Sequence, residues 1–171
     1  MDAKVAQLLT IGAIDDALES AGLDYWLFGG WAVEFHVGRV TRPHGDIDLA
    51  VWLRQAPEIE SLLVADGWNH APAADEDGGT GYERDGIRVE LTFLEEGDAG
   101  EVLIVFRGGT AVWSSQPFGS EVRELAGSRA RVVPVDVLRL GKSRPRDDAR
   151  QGALDRADYR VLLDSLSDPL A

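Results

Sequence analysis

The sequence contains no cysteine and a single methionine, so disulfide frameworks, thiolate metal sites and cysteine nucleophiles are excluded. Long apolar runs are missing too. The longest, Val102 to Phe106, is far short of the roughly 20 residues that a membrane-spanning helix needs. The opening residues, Met1-Asp2-Ala3-Lys4, lack the basic-then-apolar profile of a secretion signal, which predicts a soluble cytoplasmic protein. Positive charge is scarce: 17 Lys and Arg stand against 30 Asp and Glu, for a net charge of -13. That balance repels nucleic-acid phosphate and attracts cationic ligands, so neither nucleic acid nor a membrane is expected as a partner. The 171 residues, 44% hydrophobic and 27% charged, fit one globular domain.

Hydrophobic periodicity predicts an α+β domain spanning 1–171, with a core over about 1–133 and a helical segment over about 134–171. Val5, Leu8, Leu9, Ile14 and Leu18 place a helix over 3–21, which Gly22 closes. Tyr25 to Phe28 is a short buried strand cut off by Gly29-Gly30, read as a tight turn before a helix over 31–37. A basic loop over 39–45 leads into 46–52, where Ile47, Leu49 and Val51 alternate with Asp46, Asp48 and Ala50. Alternation of that kind marks a strand with two different faces. A helix over 57–65 follows, then an Ala/Asp/Gly-rich hairpin loop or insert over 71–81. Residues 88–94 alternate again, with Glu90 opposite Val89, Leu91 and Phe93. Strands over 102–106 and 131–133 and helices over 135–140 and 147–166 complete the prediction.

Three features then fall in order: a glycine pair after a strand, Asp46-x-Asp48 on the next strand, and Glu90 on a third. Side chains two apart on a strand share a face about 6.6 Å apart. Carboxylates so placed grip hard cations, and magnesium takes oxygen ligands from carboxylates and substrate phosphates together. A third acid from a neighbouring strand allows two metals about 3.5–4 Å apart to hold an in-line displacement at phosphorus. The glycines let backbone N–H groups approach a phosphate at a helix N-terminus. The parts together describe nucleotidyl transfer, although a glycine turn, a solvated strand edge and the polar face of a strand would each explain one of them alone.

The segment Phe28-Gly-Gly-Trp-Ala-Val-Glu-Phe-His-Val-Gly-Arg-Val-Thr-Arg-Pro-His-Gly-Asp-Ile-Asp-Leu resembles the signature of small antibiotic nucleotidyltransferases. These are the aminoglycoside 2''-O-adenylyltransferases and lincosamide nucleotidyltransferases of the DNA polymerase beta-like superfamily. The match is dense over 24–52, continues through Asp85-Gly-Ile-Arg-Val-Glu-Leu-Thr-Phe, and leaves an echo in Lys142-Ser-Arg-Pro-Arg-Asp-Asp-Ala. The resemblance implies a mixed central sheet flanked by helices with a closing C-terminal helix. It implies transfer of AMP, or another NMP, from ATP or another NTP to a hydroxyl of an aminoglycoside or lincosamide, with two Mg2+ ions at the site. Gly29 and Gly30 would cradle the triphosphate; Asp46, Asp48 and Glu90 would hold the metals, with Glu90 as ligand, general base or both.

Arg42 and His44 fall in the family's loop as phosphate donors, against the plainer reading that Arg42 pairs with an acid and His44 caps the next strand. Lys142 would neutralise departing pyrophosphate or simply be solvated at a helix end. Trp31 reads as a packing anchor and Glu34 as half of a salt bridge. Glu83, Asp85, Glu95 and Glu96 flank the Glu90 strand within an acid-rich stretch over 75–101. They are the candidate contacts for a cationic acceptor, against the plainer reading of a soluble acidic surface. A toxin-type nucleotidyltransferase acting on tRNA or protein and a non-catalytic nucleotide-binding module are the alternatives. A homodimer completing the acceptor pocket is a further expectation.

Overall fold

A computed structural model describes residues 2–73 and 77–167; Asp75 and Glu76 of the acid-rich stretch lie outside them. Helix α1 (Ala3–Ala21) starts where the Asp2 side chain accepts from the Lys4 N–H at 2.9 Å and ends at Gly22, whose φ of 69° suits a residue without Cβ. Strand β1 (Tyr25–Phe28) runs directly into α2 (Gly29–Val37), so Gly29 and Gly30 are the first turn of the helix rather than a separate turn before it. Then come β2 (Ile47–Trp52), α3 (Ala56–Ala65), the short β3 (Asn69–His70), β4 (Gly79–Arg84) and the long β5 (Ile87–Glu96). A hairpin of β6 (Val102–Phe106) and β7 (Gly109–Ser114) follows, then a second hairpin of β8 (Val122–Leu125) and β9 (Ser128–Arg131). Helices α4 (Val135–Ser143) and α5 (Ala149–Ser167) finish the described chain.

The stretch 71–81 is therefore not wholly a loop: β4 begins at Gly79. Gly79 and Gly81 sit so close to neighbouring backbone that a Cβ would come 2.1 Å from the Leu91 carbonyl oxygen and 2.7 Å from that of Ala71. Glycine looks like loop composition, but here it allows strands to approach. The strand expected over 131–133 ends at Arg131; beyond it Val132 makes an isolated parallel bridge to Leu27 and donates its N–H to the Glu121 carbonyl at 2.9 Å.

The main sheet has seven strands in the order β1-β2-β5-β4-β3, with β6 joined to β5 and β7 to β6. Only β2 and β5 run parallel; the remaining pairs are antiparallel. Alternation splits the sheet into two faces. Leu27, Ile47, Leu49, Val51, Val89 and Leu91 pack with Ile11, Leu18, Trp31 and Leu162 from the helices. On the other face Trp26, Ala50, Trp52, Leu94, Val102 and Phe118 form a smaller aromatic cluster. The acids of β2 and β5 alternate with the first set, so they emerge on the second, less covered face.

One buried polar group ties α1 to both sheets. Asp15 is fully buried, accepts the Tyr25 hydroxyl at 2.5 Å and Arg129 Nε at 2.9 Å, while the Tyr25 oxygen accepts the Arg131 N–H at 3.0 Å. Replacing Tyr25 by Phe is expected to lower unfolding stability by about 1–2 kcal/mol, read as a shifted urea midpoint with an unchanged slope; a neutral result would mean that this network does not support the fold.

Candidate active site

Parallel pairing of β2 with β5 places Asp48 directly beside Glu90 in register. Asp46 stands two residues earlier, at the mouth of β2, and one carboxylate oxygen from each of the three lies within 4.8 Å of the others. An all-carboxylate oxygen set of that size suits magnesium or a similar hard cation. Three acids so close oppose each other's ionisation. Burial, and next the charges of Asp46 and Glu90, push the Asp48 carboxyl up to about 8, against the smaller opposing effects of Lys142 and Arg42. Asp46 is raised as well, by burial first and then by Glu90. Glu90 accepts from Arg88 Nε at 2.7 Å, and Arg88 Nη1 also donates to the Ala71 carbonyl at 2.9 Å. Arg88 is a site residue that the sequence reading passed over; its signal was its place two residues before Glu90 on the same face.

The glycine pair closes one side. Gly29 has φ 67°, and a Cβ there would come 2.0 Å from Asp48 Oδ2. A Cβ at Gly30 would come 2.4 Å from His44 Nδ1 and 2.6 Å from Arg42 Nη2. The acid, the histidine and the arginine thus crowd onto the start of α2, where backbone N–H groups favour anions.

Glu34 organises the loop over 39–45 from inside. Fully buried, it accepts from the Thr41 N–H at 2.7 Å, Thr41 Oγ1 at 2.9 Å and His44 Nε2 at 2.8 Å. His44 therefore binds Glu34 rather than capping a strand, and its ring lies 4.6 Å from that of the buried Trp31. Arg42 donates through Nε and Nη2 to Asp158, both at 2.9 Å. Lys142, 8% exposed, reaches Asp155 at 2.9 Å and Asp158 at 2.8 Å, and Arg146 reaches Asp155 at 2.8 Å. Lys142 is thus no solvated helix end. Burial pushes the Asp155 and Asp158 carboxyls up, but these hydrogen bonds and charges prevail and hold both below the usual carboxylate range. Neither acid was singled out from the sequence, although their i, i+3 spacing beside Leu162 marks one helical face.

Gly29, Gly30, Arg42, His44, Asp46, Asp48, Glu90 and Lys142 line one cavity of about 900 Å³, whereas Trp31, Glu34, Thr41, Arg88, Asp155 and Asp158 lie outside its lining. The four acids assigned to an acceptor are not brought there. Glu83 lies near the end of β4, Asp85 in the β4–β5 turn, and Glu95 and Glu96 at the far end of β5, all exposed and outside the cavity lining. Ile104, Phe106, Ala111 and Trp113 of the β6–β7 hairpin line it instead.

A carboxylate trio on a mixed sheet, beside a helix that begins with glycines, defines the nucleotidyltransferase fold. Two solved structures share it: lincosamide antibiotic adenylyltransferase LnuA with lincomycin bound, with a TM-score of 0.71 at 19% identity over 93% of this chain and 96% of that one; and ANT(2")-Ia in complex with adenylyl-2"-tobramycin, with 0.67 at 22% over 95% and 90%. The model of the aminoglycoside-2''-adenylyltransferase family matches residues 10–133, and the chain belongs to that family. It is 39% identical over 57 residues to the 2''-aminoglycoside nucleotidyltransferases of Escherichia coli and Klebsiella pneumoniae, a stretch that is 33% of this chain and 32% of theirs. Among the described residues no helix is long and apolar enough to cross a membrane.

Two outcomes follow from the geometry. With Asp48 raised, the metal-free native state holds a proton that the unfolded chain releases near pH 4, so this group's contribution to stability falls between about pH 4 and 8. Asp48→Asn is expected to flatten that part of a melting-temperature profile against pH and to stabilise metal-free protein at pH 8; an unchanged profile would refute the assignment. Asp158→Asn leaves Arg42 and Lys142 short of a buried partner and is expected to cost about 3 kcal/mol, with faster amide exchange in α5; unchanged exchange there would count against the network.

Proposed function

We propose that the protein transfers AMP from ATP to a hydroxyl of a small-molecule antibiotic, an aminoglycoside or a lincosamide, with two magnesium ions at Asp46, Asp48 and Glu90. The observation that carries this reading is the convergence of the three carboxylates on the glycine-lined start of α2 within one cavity. Magnesium, when bound, would neutralise phosphate charge and stabilise the developing charge on pyrophosphate.

The chain's own residues supply the rest. Backbone N–H groups at Gly29 and Gly30 hold phosphate oxygens at the helix N-terminus. Lys142 and Arg42, fixed by Asp155 and Asp158, present positive charge to the same wall without having to be ordered on binding. The acceptor oxygen forms a bond to the α-phosphorus as the bond to the bridging oxygen of pyrophosphate breaks, and pyrophosphate leaves with that electron pair. Glu90 takes the hydroxyl proton at its carboxylate, which Arg88 orients through Oε1. Holding both reactants in one cavity lowers the barrier by fixing their approach.

The test is incubation with MgATP and either lincomycin or tobramycin, followed by mass spectrometry of the antibiotic. An adenylyl mass increase that chelation abolishes is expected, with turnover lowered roughly 10³-fold in Asp46→Asn. No mass increase with either drug, together with no binding of MgATP, would sink the proposal.

A further inference from the structure

A second cavity, of about 400 Å³, opens against the connection between α4 and α5. It shares Lys142, Arg144, Pro145 and Arg146 with the catalytic cavity, but its floor is its own. Gly152, Arg156, Tyr159 and Arg160 form that floor, at spacings that put them on one face of α5. Lys142, Arg144, Arg146, Arg156 and Arg160 all line the cavity, and no carboxylate does so among the described residues. In a chain with 30 acids and 17 basic residues, a wall of one sign against the overall charge is a segregation that composition does not produce. Lys142 and Arg146 are engaged by Asp155 and Asp158. Arg144, Arg156 and Arg160 are exposed and, among the described residues, have no ion-pair partner.

The local sequence is poorly arranged for stability alone. Arg156 and Arg160 stand one helical turn apart, where like charges oppose helix formation. Gly152, a turn before Arg156, is a poor residue for a helix interior. A Cβ there would come 3.4 Å from Arg156 Nη1 and 3.6 Å from Arg146 Cβ, so the Arg156 guanidinium lies close to bare helix backbone beside the connection. An anion among the three arginines relieves the repulsion and takes their forked donors in charge-assisted hydrogen bonds. Tyr159, whose hydroxyl has no hydrogen-bond partner among the described residues, lines the same floor. We propose that this cavity is a second anion site, separate from the catalytic one, that binds a small polyphosphate, pyrophosphate, through Arg144, Arg156 and Arg160. A nucleic-acid backbone suits it badly, because the net charge of -13 opposes a long polyanion and the basic surface is confined to a hollow. On the proposed function, pyrophosphate is released on the other side of the shared residues 142–146.

The experiment titrates the full, isotopically labelled chain with sodium pyrophosphate at constant ionic strength, with a chelator present, and follows backbone amide shifts by NMR. Without metal or nucleotide, the outcome does not depend on whether the chain performs the proposed transfer. Saturable shifts are expected at Gly152, Arg156, Tyr159 and Arg160, and orthophosphate is expected to bind roughly tenfold more weakly. Arg156→Gln and Arg160→Gln are each expected to raise the Kd roughly tenfold. Both variants are expected to melt no lower than the unmodified protein without ligand, since each removes one of two repelling charges. Shifts confined to Gly29, Gly30 and residues 42–46 would overturn the inference by giving the anion to the catalytic cavity alone. Shifts that never saturate, or a Kd unmoved by either substitution, would overturn it as a diffuse ion atmosphere. Equal affinity for orthophosphate would overturn the choice of a polyphosphate, and a lowered melting temperature in the variants would make the arginines supports of the fold instead.

Discussion

Two buried carboxylates at the back of the cavity hold the site together. Asp155 and Asp158 are 1% and 2% exposed, and ionised acids at such depth are costly unless fully paired. Lys142 bridges both, Arg42 closes on Asp158 with two hydrogen bonds, and Arg146 and Gln151 complete Asp155. The pairs join three separate parts of the chain: the loop before β2, helix α4 and helix α5. Any displacement of α5 would leave charge buried without a partner, so the helix is held in register with the loop. Glu34 performs the matching task from the other side of that loop.

The front of the cavity is balanced differently. Behind it, opposite charges pair; in front, Asp46, Asp48 and Glu90 face one another, and among the described residues only Arg88 is bonded directly to the set. That repulsion is tolerable because the rest of the fold fixes the strands, with six residues of β2 in parallel register against β5. The energetic cost of assembling the acids is borne by sheet and core, which keep one oxygen of each acid within 4.8 Å of the others.

What could be read from the sequence was what periodicity and short-range spacing encode. Alternation at Ile47, Leu49 and Val51 and again at Val89, Leu91 and Phe93 put Asp48 and Glu90 on the same side of two strands, and the pairing brings them together. Strands β3, β4, β7, β8 and β9 were not legible, because β4 opens with Gly-Thr-Gly, β7 is mostly exposed and β9, Ser-Arg-Ala-Arg, carries no apolar stripe. What makes β9 a strand is its pairing with β8 and its hold on α1 through Arg129. The partners of Arg42 and Lys142 were hidden for a related reason. Arg42 and Asp158 are separated by 116 positions, and nothing local in either segment records the other. The acids around β5 fall outside the cavity lining, because proximity in sequence to Glu90 says nothing about where a long strand passes beyond the cavity.

The contrast between the whole molecule and its cavity has a kinetic consequence. At -13, the protein's distant field opposes the approach of any polyphosphate, while the arginines and lysine of the cavity wall act only once the ligand is within a few ångströms. Added salt shortens the reach of the first far more than that of the second. On the proposed function, capture of nucleotide is a two-stage event, a long-range barrier followed by a short-range well, and dissolved ions lower the barrier while sparing most of the well.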